Sequence, residues 1–262
     1  MILHGIEAGT GPTLVLLHGL FGAARNFGLV QRRLAGRFRV LALDLRNHGS
    51  SPHAPGMDYP ALAADVIETL AARDALPCRL VGHSMGGKVA MRAALDRPDA
   101  VSRLVVADIA PVAYASGFHA ISAAMAALPL TPGLTRAQAD AALAPAVPDA
   151  VMRGFLLHNL GLGARPSWRI GLAEIVAGLL DIVDWPATGA VYPGPALFIA
   201  GERSDYIRPE HRMPIRALFP AARFVTLKGA GHWLHADNPA GFVSVLEAFL
   251  AHAPDGAVPP AG

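Results

Sequence analysis

Short apolar runs alternate with longer amphipathic stretches along this chain. Residues 13–17, 39–43, 79–81, 104–107, 196–200 and 223–227 are of strand length, and most are continuously apolar. That pattern suits strands covered on both faces rather than half-exposed ones. Between them, residues 26–34, 59–73, 86–95, 210–219 and 239–251 carry apolar side chains at three- and four-residue spacing, the period of a helix. Asn238-Pro239 supplies an N-cap and first helical position for the last of these. Strands alternating with helices predict an α/β fold with a mostly parallel sheet and helices on both faces. Residues 1–7 predict an antiparallel edge strand, followed by a Gly-Thr-Gly-Pro turn.

The alternation breaks between about residues 112 and 194. Ala- and Leu-rich helical pieces lie near 121–128, 136–143, 151–160 and 171–180, separated by Pro and Gly, with no strand pattern among them. An insertion of this kind predicts a helical lid over one end of the sheet. The expected organisation is a core from 1–111 and 195–252, a lid from 112–194, and a flexible Pro/Gly/Ala-rich tail at 253–262.

The chain has 262 residues, which suits one domain carrying an insertion. Its 53% hydrophobic and 16% charged residues suit a sizeable core and argue against a disordered chain. A net charge of +2 without a basic run gives no reason to expect nucleic acid or an anionic membrane as partner. The single cysteine, Cys78, cannot form an intramolecular disulfide, and its place at the start of an apolar run reads as a small buried hydrophobe. No Lys or Arg precedes Arg25, and the apolar run 14–17 is too short for a secretory leader. The longest stretch without Asp, Glu, Lys or Arg, 109–135, is interrupted by Pro111, Pro129 and Pro132, unlike a membrane span. A cytoplasmic protein is expected.

The chemistry concentrates at Gly82-His83-Ser84-Met85-Gly86, a G-x-S-x-G directly after an apolar run and directly before a helical one. This context predicts a nucleophile elbow, with Ser84 on a strained turn and the Met85 N–H available to an oxyanion. A serine hydroxyl needs a base. His232, in Gly229-Ala230-Gly231-His232-Trp233, follows the run ending at Leu227, so its loop is expected at the same sheet edge. His18-Gly19-Leu20-Phe21 follows the run 13–17 and makes the Leu20 N–H the second oxyanion donor. His18 and His48, in Gly-adjacent loops, read as backbone hydrogen-bonding residues. Two acids compete to orient His232: Asp108, after the run 104–107, and Asp205, after the run 196–200. Asp205 is displaced by one from the usual slot three after the glycine, where Ser204 stands.

Gly82 to Lys88 also reads G-x-x-x-x-G-K, yet Val89 stands where a P-loop needs Ser or Thr for Mg²⁺. No His/Cys/Asp cluster has metal-ligand spacing, so no metal or organic cofactor is expected. A dehalogenase or epoxide hydrolase would need Asp at position 84. A cofactor-free perhydrolase or acyltransferase would use the same triad, and a non-catalytic binding protein would have lost a member of it. Arg46 and Lys88 read as solvated or structural. Phe21, Phe118, Met125, Met152, Phe155, Trp168 and Trp233 are the residues expected to wall a substrate pocket.

Four segments carry a family resemblance: His18-Gly19-Leu20-Phe21-Gly22, Asp44-Leu45-Arg46-Asn47-His48-Gly49-Ser50-Ser51-Pro52-His53, Gly82-His83-Ser84-Met85-Gly86-Gly87-Lys88 and Asp108-Ile109-Ala110-Pro111. Together they resemble the YbfF-type esterases, bacterial enzymes with mitochondrial relatives in eukaryotes. The resemblance implies the α/β-hydrolase fold and a serine carboxylesterase of short-to-medium acyl preference, thioesters included, working through an acyl-enzyme. It also implies that the acid sits at the Asp-Ile-x-Pro position, Asp108, with Asp205 as the alternative.

Overall fold

The structure, a computed structural model, describes residues 1–115 and 117–251; the expected tail, 253–262, lies outside the described residues. Among these residues, seven strands form one sheet: β1 (Gly5–Ala8), β2 (Thr13–Leu17), β3 (Arg39–Leu43), β4 (Cys78–His83), β5 (Val101–Ala107), β8 (Ala196–Gly201) and β9 (Ala222–Leu227). Their order across the sheet is β1-β3-β2-β4-β5-β8-β9. All neighbours run parallel except β1, which pairs antiparallel to β3 with Gly5 opposite Leu43. The edge strand therefore begins later than residue 1, where the expectation placed it.

Strand residues alternate between two cores. Val15, Leu17, Leu41, Leu43, Leu80 and Val106 face one layer, which contains α2 (Tyr59–Ala71) and α3 (Met85–Asp96). Leu14, Leu16, Val40, Ala42, Val81 and Val105 face the other, built on α1 (Gly28–Leu34) and α11 (Pro239–Leu250). The period of two is the pleat itself. Because both faces are covered, both sets are apolar, and the strands read as continuous runs. Helices α9 (Arg212–Leu218) and α10 (Leu234–Asp237) complete the core region.

Between β5 and β8 lie α4 (Phe118–Ala127), α5 (Arg136–Leu143), α6 (Ala150–Leu157), α7 (Leu172–Ala177) and α8 (Leu179–Val183). Two details correct the sequence reading. Leu160–Gly161 (β6) pairs antiparallel with Ser167–Trp168 (β7), a ladder too short to produce a strand pattern. The single helix expected over 171–180 is two, divided at Gly178. The segment is fastened to the core by polar contacts. Buried Asn159 donates Nδ2–H to the Phe21 carbonyl at 2.7 Å, and Lys88 on α3 donates to the carbonyls of Val183 (3.1 Å) and Asp184 (2.7 Å).

Among the described residues, no helix is long and apolar enough to cross a membrane.

Candidate active site

Parallel strands deliver their following loops to one edge of the sheet, and the candidate residues meet there. Ser84 occupies the single-residue turn between β4 and α3, at φ 53° and ψ −122°. Its N–H donates to the Ala107 carbonyl at 2.9 Å, tying the turn to β5. The flanking glycines are required by space. A Cβ on Gly82 would lie 2.1 Å from the Gly86 carbonyl oxygen, and one on Gly86 would lie 2.4 Å from the His18 oxygen. The strained turn thus survives only because the surrounding backbone closes tightly on it.

The Ser84 hydroxyl makes no capping bond to α3, leaving it free to turn toward His232, whose Nε2 lies 2.9 Å from Ser84 Oγ. His232 Nδ1 lies 2.8 Å from Asp108 Oδ2. A carboxylate only accepts, so Nδ1 carries the proton and Nε2 accepts from the serine. Asp108 is itself at positive φ, 54°, fully buried, and pinned by its own N–H to the Ile199 carbonyl at 2.8 Å. Its Oδ1 accepts from the Gly201 N–H at 3.0 Å, and its Oδ2 also accepts from the Ser204 hydroxyl. Asp205 is not part of this chain of contacts. Its carbonyl accepts from Arg208 Nε at 3.1 Å, and it lines a cavity instead.

Two further groups hold His232 and a third braces one of them, and the sequence reading assigned none of the three a task. Buried His83 donates Nε2–H to the His232 carbonyl at 2.7 Å. Desolvation, reinforced by the neighbouring His232, holds the His83 pKa well below 6.5, so it stays a neutral donor. Tyr206 stacks on the imidazole with centroids 4.0 Å apart and planes inclined by 20°. Tyr114 holds Tyr206 in turn, donating its hydroxyl to the Tyr206 carbonyl at 2.6 Å while accepting from the Ala110 N–H. Spacing gave no signal for Tyr114 or Tyr206, which lie far apart in the chain and meet only through the fold.

The loop after β2 carries Leu20 and is braced by histidines. His18 donates Nδ1–H to the Gly19 carbonyl (2.8 Å) and accepts from the Leu45 N–H at Nε2 (3.0 Å). His48 Nε2 accepts from the N–H of Phe21, a residue held at φ 60°. Burial, with His18 close by, depresses the His48 pKa to about 3, which keeps that nitrogen an acceptor. Both work on the backbone, the role their Gly-adjacent loops suggested. Arg46 is structural, pairing with buried Asp65 and donating to the carbonyls of Pro55 and Gly56. Cys78 is buried, and desolvation pushes its thiol up to about 12, far from a nucleophile's range.

Among the described residues, two cavities flank Ser84. The larger, about 420 Å³, includes Leu20, Met85, Ile109, Phe118, Met152 and Ile182 in its wall. The smaller, about 40 Å³, is walled by Phe21, Phe118, Met152, Phe155, His232 and Trp233 among others. Two residues expected in the pocket are absent from both walls. Met125 is fully buried, and its carbonyl receives the Trp168 indole N–H at 3.1 Å, so these two pack against each other between β5 and β8.

A family profile described as alpha/beta hydrolase fold matches residues 12–239, most of the chain. The chain belongs to the α/β-hydrolase family. It is 44% identical over 251 residues to the sn-1-specific diacylglycerol lipase ABHD11 of Mus musculus, covering 92% of this chain and 82% of that one. It is 37% identical over 238 residues to esterase YbfF of Escherichia coli, covering 90% and 92%. Among solved structures, a marine microorganism esterase superposes with a TM-score of 0.91 at 36% identity, covering 95% of this chain and 99% of its own.

Proposed function

We propose that this α/β hydrolase is a serine carboxylesterase, with Ser84 as nucleophile, His232 as general base and acid, and Asp108 orienting the imidazole. The observation that carries this reading is the unbroken relay from Ser84 Oγ through His232 to a fully buried carboxylate. His232 takes the Ser84 proton as Oγ attacks the acyl carbonyl. The Leu20 and Met85 N–H groups hold the tetrahedral oxyanion, each contributing about 3 kcal/mol to lowering the barrier. His232 then protonates the departing alcohol, and afterwards activates water to release the acid from the acyl-enzyme. The reaction balances on ester and water alone. Residues 112–194 act as a cap that walls the acyl group, through Phe118 and Met152. Short-to-medium acyl esters are the expected substrates, and thioesters fit the same chemistry.

The test is steady-state hydrolysis of an ester and thioester panel by the purified protein, with Ser84→Ala alongside. Turnover that is lost in Ser84→Ala supports the reading. Turnover that survives the substitution places the chemistry elsewhere.

A further inference from the structure

The two cavities at Ser84 differ in size, about 420 against about 40 Å³, and they are not equivalent chemically. Ser84, Leu20, Phe118 and Met152 belong to both walls. Met85 belongs only to the larger and His232 only to the smaller. Phe118 from α4 and Met152 from α6 thus stand at the divide between them.

The mechanism fixes which half of an ester goes where. In the tetrahedral intermediate the former carbonyl carbon bears Ser84 Oγ, the oxyanion, the leaving oxygen and the acyl substituent. His232 Nε2 delivers its proton to the leaving oxygen, so that oxygen lies on the His232 side. The acyl substituent then points away from His232, toward the larger cavity. On the His232 side, space is limited by Phe155 and Trp233, whose rings pack 5.7 Å apart.

We propose that this enzyme sorts the two halves of its substrate by size, taking esters of an extended apolar acyl group with a small alcohol. The proposal rests on the triad assignment above and adds to it a polarity of binding. Phe118 and Met152 enforce the separation, and Phe155 with Trp233 sets the limit on the alcohol.

Constitutional isomers test it, because they hold total carbon and hydrophobicity nearly constant. Methyl hexanoate and pentyl acetate share one formula and exchange the long and short halves. The expected kcat/KM for methyl hexanoate exceeds that for pentyl acetate by at least about tenfold, the scale of a few methylenes fitting or failing to fit a pocket. Phe155→Ala should narrow that ratio by opening the small side. Because the ratio is taken within one preparation, a partly misfolded variant does not distort it. Equal rates, or a preference for pentyl acetate, overturn the proposal while leaving the esterase reading intact. Absence of hydrolysis of either isomer, from protein that also fails to turn over any other ester, overturns both together.

Discussion

The Ser204 hydroxyl donates to Asp108 Oδ2, the same oxygen that holds His232 Nδ1. Ser204 stands three residues after Gly201, the slot from which an acid would otherwise come. A hydroxyl there supports the carboxylate arriving from β5 rather than replacing it. Asp205, one residue on, is turned to the larger cavity. Asp108→Asn should therefore cost about 10⁴-fold in kcat, as expected when an imidazole loses its orienting carboxylate. Asp205→Asn should leave kcat within about threefold, since that residue is exposed and its carboxylate takes no part in the relay from Ser84 to Asp108. Parallel kinetics on the two variants check this, and a comparable loss in Asp205→Asn would contradict it.

The position of Ser204 also makes the acid transferable. In the double variant Asp108→Asn/Ser204→Asp, a carboxylate from the β8 loop approaches the same nitrogen of His232. The expected result is recovery of at least about tenfold of the kcat lost in Asp108→Asn alone. The single change Ser204→Asp should lower activity, because two carboxylates would then crowd one buried site. No recovery in the double variant would show that the β5 geometry, with Asp108 at positive φ, is indispensable.

Tyr206 presents its face to His232 and restrains the ring against rotation. Tyr206→Leu should lower kcat about tenfold, and Tyr206→Phe should retain most of it, because the stacked face and not the hydroxyl meets the imidazole. Comparing the three kcat values decides between stacking and the hydroxyl. Equal losses in Leu and Phe would contradict stacking as the cause.

Buried neutral histidines tie stability to acid. Desolvation by burial depresses His48 to about 3 and His235 to about 4, with His18 and His232 respectively adding to the effect. The unfolded chain, with histidines near 6.5, binds more protons between these values, so stability is complete above about pH 6.5 and is lost progressively toward pH 4. Each such histidine should contribute a slope of up to about 1.4 kcal/mol per pH unit in that window. Urea unfolding at several pH values measures it; a flat profile from pH 6.5 to 4 would contradict the assigned protonation.

The strand positions were legible because buried parallel strands leave uninterrupted apolar runs, and the Ser84 elbow because its spacing is imposed by backbone contact. Other features depend on how side chains are aimed, which spacing does not encode. Asp108 and Asp205 both follow strands reaching the same edge, and only the turn at Asp108 points its carboxylate inward. Met125 and Phe118 sit on one helix, α4, yet Phe118 meets the cavities while Met125 is fully buried away from them. The β6–β7 ladder spans two residues per strand, below the length at which alternation registers. Tyr206 carried no signal, since its partner His232 is joined to it only through the packing of the loops after β8 and β9.

The mechanism requires Ser84 to be an activated nucleophile. Its most direct test is reaction of the folded protein with a fluorophosphonate probe, followed by mass-spectrometric mapping of the modified peptide. One adduct per chain on Ser84, absent in Ser84→Ala and strongly slowed in Asp108→Asn, is the expected result. A folded protein that forms no adduct, or forms it equally in Ser84→Ala, would contradict the account and favour a binding role for this site.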